Sequence, residues 1–194
     1  MQTLVGNWTV QKKLLASFLM VAVLVGIVGY VGWKNTTEFA NEFKSLYDDR
    51  LVPLVQLGEM ERSLWELRLA TLLYIDADSA GRAALLKREA ELWKTIDEHV
   101  AEYKATYLIE AEKAGLKRWE EVYPTYIKAR KEMLALADQG KPTAQIEAFR
   151  AKEVTPLADA LAKAIKELAA IQEKEGDRMA KAVSQQSAWS SKLI

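Results

Sequence analysis

The sequence has no cysteine, one histidine, four prolines and nine glycines, and its 27 basic residues are balanced by 27 acidic ones. Without cysteine there is no disulfide framework and no thiolate metal site. The lone His99 excludes a histidine pair or a histidine-rich metal centre. Zero net charge argues against nucleic acid as a partner, since its binders carry a basic excess. No nucleophile elbow, P-loop, HExxH or paired-carboxylate constellation is present. Glu59, Glu61 and Glu66 read as an ordinary charged helix face. The chain is therefore read as non-enzymatic and without a cofactor. Few breakers, with much Ala, Leu, Glu and Lys, imply long helices.

What is present begins with LLASFLMVAVLVGIVGYVGW, residues 14–33, which carries no charge. As a helix it spans roughly 30 Å, the thickness of a bilayer's hydrocarbon core. Lys12 and Lys13 precede it, while Glu38 and Glu42 follow Lys34 on the far side. The positive-inside bias then puts the N-terminus in the cytoplasm. Tyr30 and Trp33 stand near the outer interface, and Trp8 is a candidate for the inner one. Gly-Tyr-Val-Gly-Trp is a poor cleavage site, and the run is long for a signal peptide.

Beyond Trp33 the pattern is amphipathic helix with few breaks. Asp76–Gly81 and Asp138–Thr143 are turns by composition, with Gly140 suited to close a helix and Thr143 to cap the next. A weaker break is placed at Thr106-Tyr107-Leu108 rather than at Gly115. Four apolar stripes follow heptad-like spacing. The first holds Leu57, Met60, Leu64, Leu67, Thr71 and Tyr74; the second Leu85, Leu92, Ile96, Val100 and Tyr103. The third holds Leu116, Trp119, Tyr123, Tyr126, Arg130 and Met133; the fourth Val154, Leu157, Leu161, Ala164, Leu168 and Ile171. The expected fold is all-α, an antiparallel up-down four-helix bundle with an N-terminal transmembrane helix continuous with helix 1. From Trp33 to Asp76 is roughly 65 Å of helix, and from Thr143 to Trp189 about the same. The expected divisions are a cytoplasmic leader 1–13, a span 14–33, a bundle 34–190, and at 191–194 the start of a second span.

Pro53, in LYDDRLVPLVQL, removes the hydrogen bond to the Asp49 carbonyl, so a bend rather than a stop is expected there. Asp49 and Arg50 are expected to face water beside the freed carbonyl.

LYDDRLVPLVQLGEMERSLWELRLATLLYI, residues 46–75, resembles the first ligand-domain helix of bacterial methyl-accepting chemotaxis proteins of the four-helix-bundle class. The Arg-Leu-Val-Pro block is its sharpest element. NWTVQKKLLASFLMVAVLVGIVGYVGW resembles the leader and first span of those receptors, and FRAKEVTPLADALAKAIKELAAIQEKEG, residues 149–176, their fourth helix. The resemblance implies a bacterial inner-membrane chemoreceptor with a periplasmic sensor domain. Its expected partners are a small-molecule ligand or a ligand-loaded periplasmic binding protein, membrane lipid, and a second copy in a homodimer. The same input module on a histidine kinase or a cyclic-dinucleotide enzyme, and a membrane-tethered helical scaffold, are the alternatives.

In amino-acid-sensing relatives, arginines on this helix grip ligand carboxylates, and Arg68 stands where one is expected. The next turns hold Thr71, Leu72, Leu73, Ile75 and Ala77 rather than further arginines, so aspartate or serine recognition is not supported. Arg62 is the second candidate. Counting back from the distal tip puts Lys152 and Thr155 near the level of Arg68, where they would complete a polar pocket between protomers. The competing expectation for Arg68 is an ion pair with Glu61 or Glu66. His99, flanking a core stripe, reads as structural, and Trp65, Trp93 and Trp119 as core or interface filler.

Overall fold

The computed structural model describes residues 9–190, with side chains through residue 185. The leader up to Trp8, the side chain of Trp189 and the expected second span at 191–194 lie outside the described residues. Among the described residues the chain is helix and short turns, in two bodies: one within Met1–Lys44 and Ala182–Ile194, the other Ser45–Lys181.

The first body carries helix α1, Val10–Leu46, in which no residue is buried. Its apolar residues form the one described helix long and apolar enough to cross a membrane. The hydroxyls of Ser17, Thr36 and Thr37 each donate to the carbonyl four residues back, at 2.9 Å. That bond satisfies a hydroxyl without water. The Tyr30 and Trp33 rings lie 6.3 Å apart.

The second body is the four-helix bundle. Its first helix is α2, Val52–Asp76, entered through a π-helical turn, Tyr47–Leu51. Helices α3, Ser79–Ala105, and α4, Glu110–Asp138, are the middle pair. The short α5, Thr143–Phe149, passes through a second π-turn, Arg150–Val154, into α6, Thr155–Ser190. All six residues of the first expected stripe are buried. All but Thr71 join Leu92, Ile96 and Tyr103 of α3, Leu116, Trp119 and Met133 of α4, and Leu161, Ile165 and Leu168 of α6 in one hydrophobic core. Each fully buried leucine among them contributes about 1.5–3 kcal/mol.

The helix ends follow local chemistry. Asp78 accepts from the Gly81 N–H at 2.7 Å and caps α3. The break before α4 falls at Thr106–Ile109, and Gly115 lies inside the helix. A Cβ at Gly115 would stand 2.6 Å from Leu168 Cδ2, so the missing side chain lets α4 and α6 approach closely. Gly140 has φ +67° and ends α4 in the left-handed conformation that suits glycine. Thr143 does not cap the next helix: it is the first helical residue, and Pro142 precedes it with no side-chain cap.

Both π-turns precede a proline. Pro53 offers no N–H to the Asp49 carbonyl, and the turn before it widens so that the Val52 N–H bonds the Tyr47 carbonyl, five residues back. Pro156 stands in the same relation to the second turn, where the Thr155 N–H bonds the Arg150 carbonyl. The helix therefore runs through Pro53, as expected. Arg50 does not face water as expected: it is buried, because Glu112 and Gln172 supply partners inside the bundle.

Candidate functional site

Polar side chains enter the bundle at three levels. At the level of the first π-turn, the fully buried Glu112 accepts from Arg50 Nη1 at 3.2 Å, from Tyr103 OH at 3.0 Å and from the Ile109 N–H at 2.7 Å. Gln172 Nε2 donates to it as well, and Gln172 Oε1 accepts from Arg50 Nη1 at 3.0 Å. At the distal end Arg82 reaches the carbonyls of Tyr74, Ile75 and Ala137 and the Asp138 carboxylate. It satisfies carbonyls at the ends of α2 and α4 that no helical N–H can reach.

The middle level is built around Arg130. Its Nη2 lies 2.7 Å from Glu89 Oε2 and its Nη1 donates to Thr71 Oγ1. Glu89 also accepts from Trp93 Nε1 at 2.9 Å. Burial lowers the Arg130 pKa, and the Glu89 charge opposes the shift. Arg130 Nε and, one turn earlier on the same helix, Tyr126 OH are buried without a hydrogen-bond partner among the described residues. Burial raises the Tyr126 pKa, so its hydroxyl stays protonated and remains a donor.

Tyr126 lines a cavity of about 20 Å³ between α2, α4, the second π-turn and α6. Arg68, Thr71, Arg150, Val154 and Thr155 also line it. Arg68 Nη1 lies 2.8 Å from Asp159, and its guanidinium sits over the Trp65 ring, 4.5 Å from the centroid. Arg150 is bound through Nε and Nη2 to Glu147, at 3.0 and 2.6 Å. Arg68 also lines an open groove of about 430 Å³ on the α2–α6 face, with Trp65, Asp159, Lys166 and Ala170. One arginine is thus a wall common to a small, half-open polar cavity and an open surface groove.

Of the four residues expected at a ligand site, the structure brings Arg68 and Thr155 together in this cavity. Lys152 is 83% exposed and pairs with Glu153, and Arg62 is mostly exposed and pairs with Glu59. Neither lines the cavity. The ion-pair partner of Arg68 is Asp159 on α6, not Glu61 or Glu66. Glu66 is instead bound to Arg88, because α3 lies alongside α2. Trp65 is 51% exposed and so is no part of the core. His99 Nδ1 lies 2.9 Å from Glu102.

Sequence reasoning passed over Arg150, Glu89, Glu112 and Gln172, and set Arg50 beside water. A signal for four of them existed. Glu89 falls between Leu85 and Leu92 in the phase of the second stripe, Arg50 one heptad before Leu57, Glu112 one turn before Leu116, and Gln172 one turn after Leu168. A polar residue at a core phase needs a partner at another core phase. Arg150 gave no such signal, because its position depends on the π-turn.

Comparison with known families finds that the four-helix-bundle sensory module for signal transduction matches residues 7–187. No curated protein matches the chain.

Proposed function

Because this chain belongs to the four-helix-bundle sensory modules of signal transduction, we propose that it is the membrane-anchored sensing part of a bacterial chemoreceptor. In this reading residues 14–33 span the inner membrane with the N-terminus in the cytoplasm. The bundle, within residues 34–190, stands in the periplasm and binds a small molecule or a ligand-loaded binding protein. The uncharged stretch 14–33 of α1, with its exposed apolar side chains, supports the span, since in lipid such a surface has no cost. The module itself carries out no catalytic step.

The observation that carries the reading is the place of Arg68. Arg68 lines both the open groove and the small polar cavity, and its carboxylate partner Asp159 is 60% exposed. A ligand carboxylate in the groove would replace Asp159 on a preformed fork, with Trp65 alongside for an apolar or cationic portion. Such a ligand bridges α2 and α6, the first and last helices of the bundle. A change in their relation is the signal to be passed on. Exposed apolar residues stand four apart at Leu51 and Val55, and at four- and three-residue steps at Trp65, Leu69 and Leu72, which supports a homodimer packed through this helix.

The test is a thermal-shift screen of amino acids, organic acids and aromatics against the intact chain, repeated with Arg68→Ala. A ligand that raises Tm in the wild type and not in the variant is the expected result. A broad panel without any shift would remove direct small-molecule sensing. A reporter at Ser79 and one at the N-terminus, found on the same side of the membrane, would remove the topology.

A further inference from the structure

We infer that the cavity behind Arg68 is a binding site, inside a single protomer, for one small inorganic monoanion of the chloride or nitrate class. The inference rests on the reading of this face as the sensing face and adds the chemical class of an occupant.

Size comes first. At about 20 Å³ and half open to solvent, the cavity has room for a small particle, since one water requires roughly 10–15 Å³. The lining comes second. Tyr126, fully out of solvent, contributes a hydroxyl with no partner among the described residues. Thr155 adds a second hydroxyl-bearing side chain. Arg68 and Arg150 stand in the walls, each with part of its fork outside its ion pair: Arg68 spends Nη1 on Asp159, and Arg150 spends Nε and Nη2 on Glu147. The lining contains no carboxylate. A neutral water would be offered donors in excess of its two lone pairs, whereas an anion accepts from several at once. Val154 and Ala158 form an apolar side. Arg130, bound to Thr71 through Nη1 and to Glu89 through Nη2, stands behind this wall with Nε unpartnered among the described residues.

The site also has a means of being read. Thr71 lines the cavity and is bound to Arg130, which holds Glu89, which holds Trp93 Nε1. Filling the cavity therefore alters a chain that ends on a tryptophan.

The experiment uses the intact chain in detergent micelles or nanodiscs. Chloride or nitrate is exchanged for gluconate at constant ionic strength, and Tm and tryptophan emission are followed. The expected result is a saturable rise in Tm with a matching emission change, specific to the small anions. Tyr126→Phe is expected to weaken the apparent affinity tenfold or more. In gluconate it should melt no lower than the wild type, because it removes a buried hydroxyl that has no partner there. Thr155→Val is the second variant and should weaken binding in the same sense. A Tm that follows ionic strength whatever the anion overturns the inference and leaves water as the occupant. So does a full response retained in both variants. If small anions have no effect while a larger ligand shifts Tm through Arg68, this inference falls and the proposed function stands; if neither acts, both fall.

Discussion

Arg50 Nη1 lies 3.2 and 3.3 Å from the two carboxylate oxygens of Glu112, 62 residues further along the chain, and both side chains are shielded from solvent. Tyr103 and Gln172 complete the cluster, so the first π-turn, α3, α4 and α6 each contribute a side chain. Arg50→Met leaves a buried carboxylate with neutral donors only. A loss of about 3–5 kcal/mol is expected in urea or thermal unfolding. Adding Glu112→Gln should recover much of it, because the uncompensated charge is gone. A single variant as stable as the wild type would mean that water reaches Glu112.

Burial raises the pKa of Tyr103 and of Tyr123, and a neighbouring acid adds to each shift: the Glu112 charge for Tyr103, the Asp97 hydrogen bond for Tyr123. Their folded pKa values lie above the unfolded value of about 10. The folded state thus holds these protons more tightly than the unfolded chain. Their stabilising contribution is complete below pH of about 10 and is lost as pH rises above it. Tyrosinate absorbance from these two is expected to appear in one step together with loss of helicity. A gradual titration of all seven tyrosines with the helices intact would contradict this.

Gly115→Ala gains helix propensity of about 1 kcal/mol. It also drives a methyl against the fully buried Leu168, and overpacking of this kind costs about 1–3 kcal/mol. A net loss of about 1 kcal/mol is expected. Gly58→Ala, with nothing within 4 Å of the new atom, should instead stabilise by up to about 1 kcal/mol. Equal effects at the two sites would mean that α4 and α6 are less closely packed than described.

Leu69 is 56% and Val55 67% exposed on the outer face of α2. Leu69→Glu should change monomer stability by less than about 0.5 kcal/mol. In sedimentation it should abolish any self-association of the chain. A dimer that survives both Leu69→Glu and Val55→Glu would place the interface on another face.

Spacing alone located the first helix's core, because Leu57 to Tyr74 keep one phase without interruption, and no π-turn falls within them. It also located the break near Tyr107, where the stripe of α3 loses its phase. The partner of Arg68 was not legible: a helix shows its own neighbours at three and four residues, while Asp159 arrives from α6. Of the two roles expected for Trp65, core or interface filler, its exposure excludes the core. It follows Leu64 in the stripe, and one position on a helix is a rotation of about 100°. The fourth stripe was read from Val154 onward, and Ile146, which is 2% exposed, was left out of it. Ile146 precedes Val154 by eight positions, one too many for a heptad step.

That surplus residue has an evolutionary corollary. Between Arg150 and Val154 the helix takes in one residue more than ordinary α-geometry, so eight positions span what seven normally would. Deleting the exposed Ala151 would let the segment relax to plain α-helix, with Ile146 and Val154 both still pointing inward. The same deletion anywhere in Thr155–Leu168 would turn everything beyond it by about 100° and empty the core. Length variation in this helix is therefore tolerable at one spot, and that spot adjoins the arginine cavity, where losing a residue would reshape the pocket while leaving the scaffold whole.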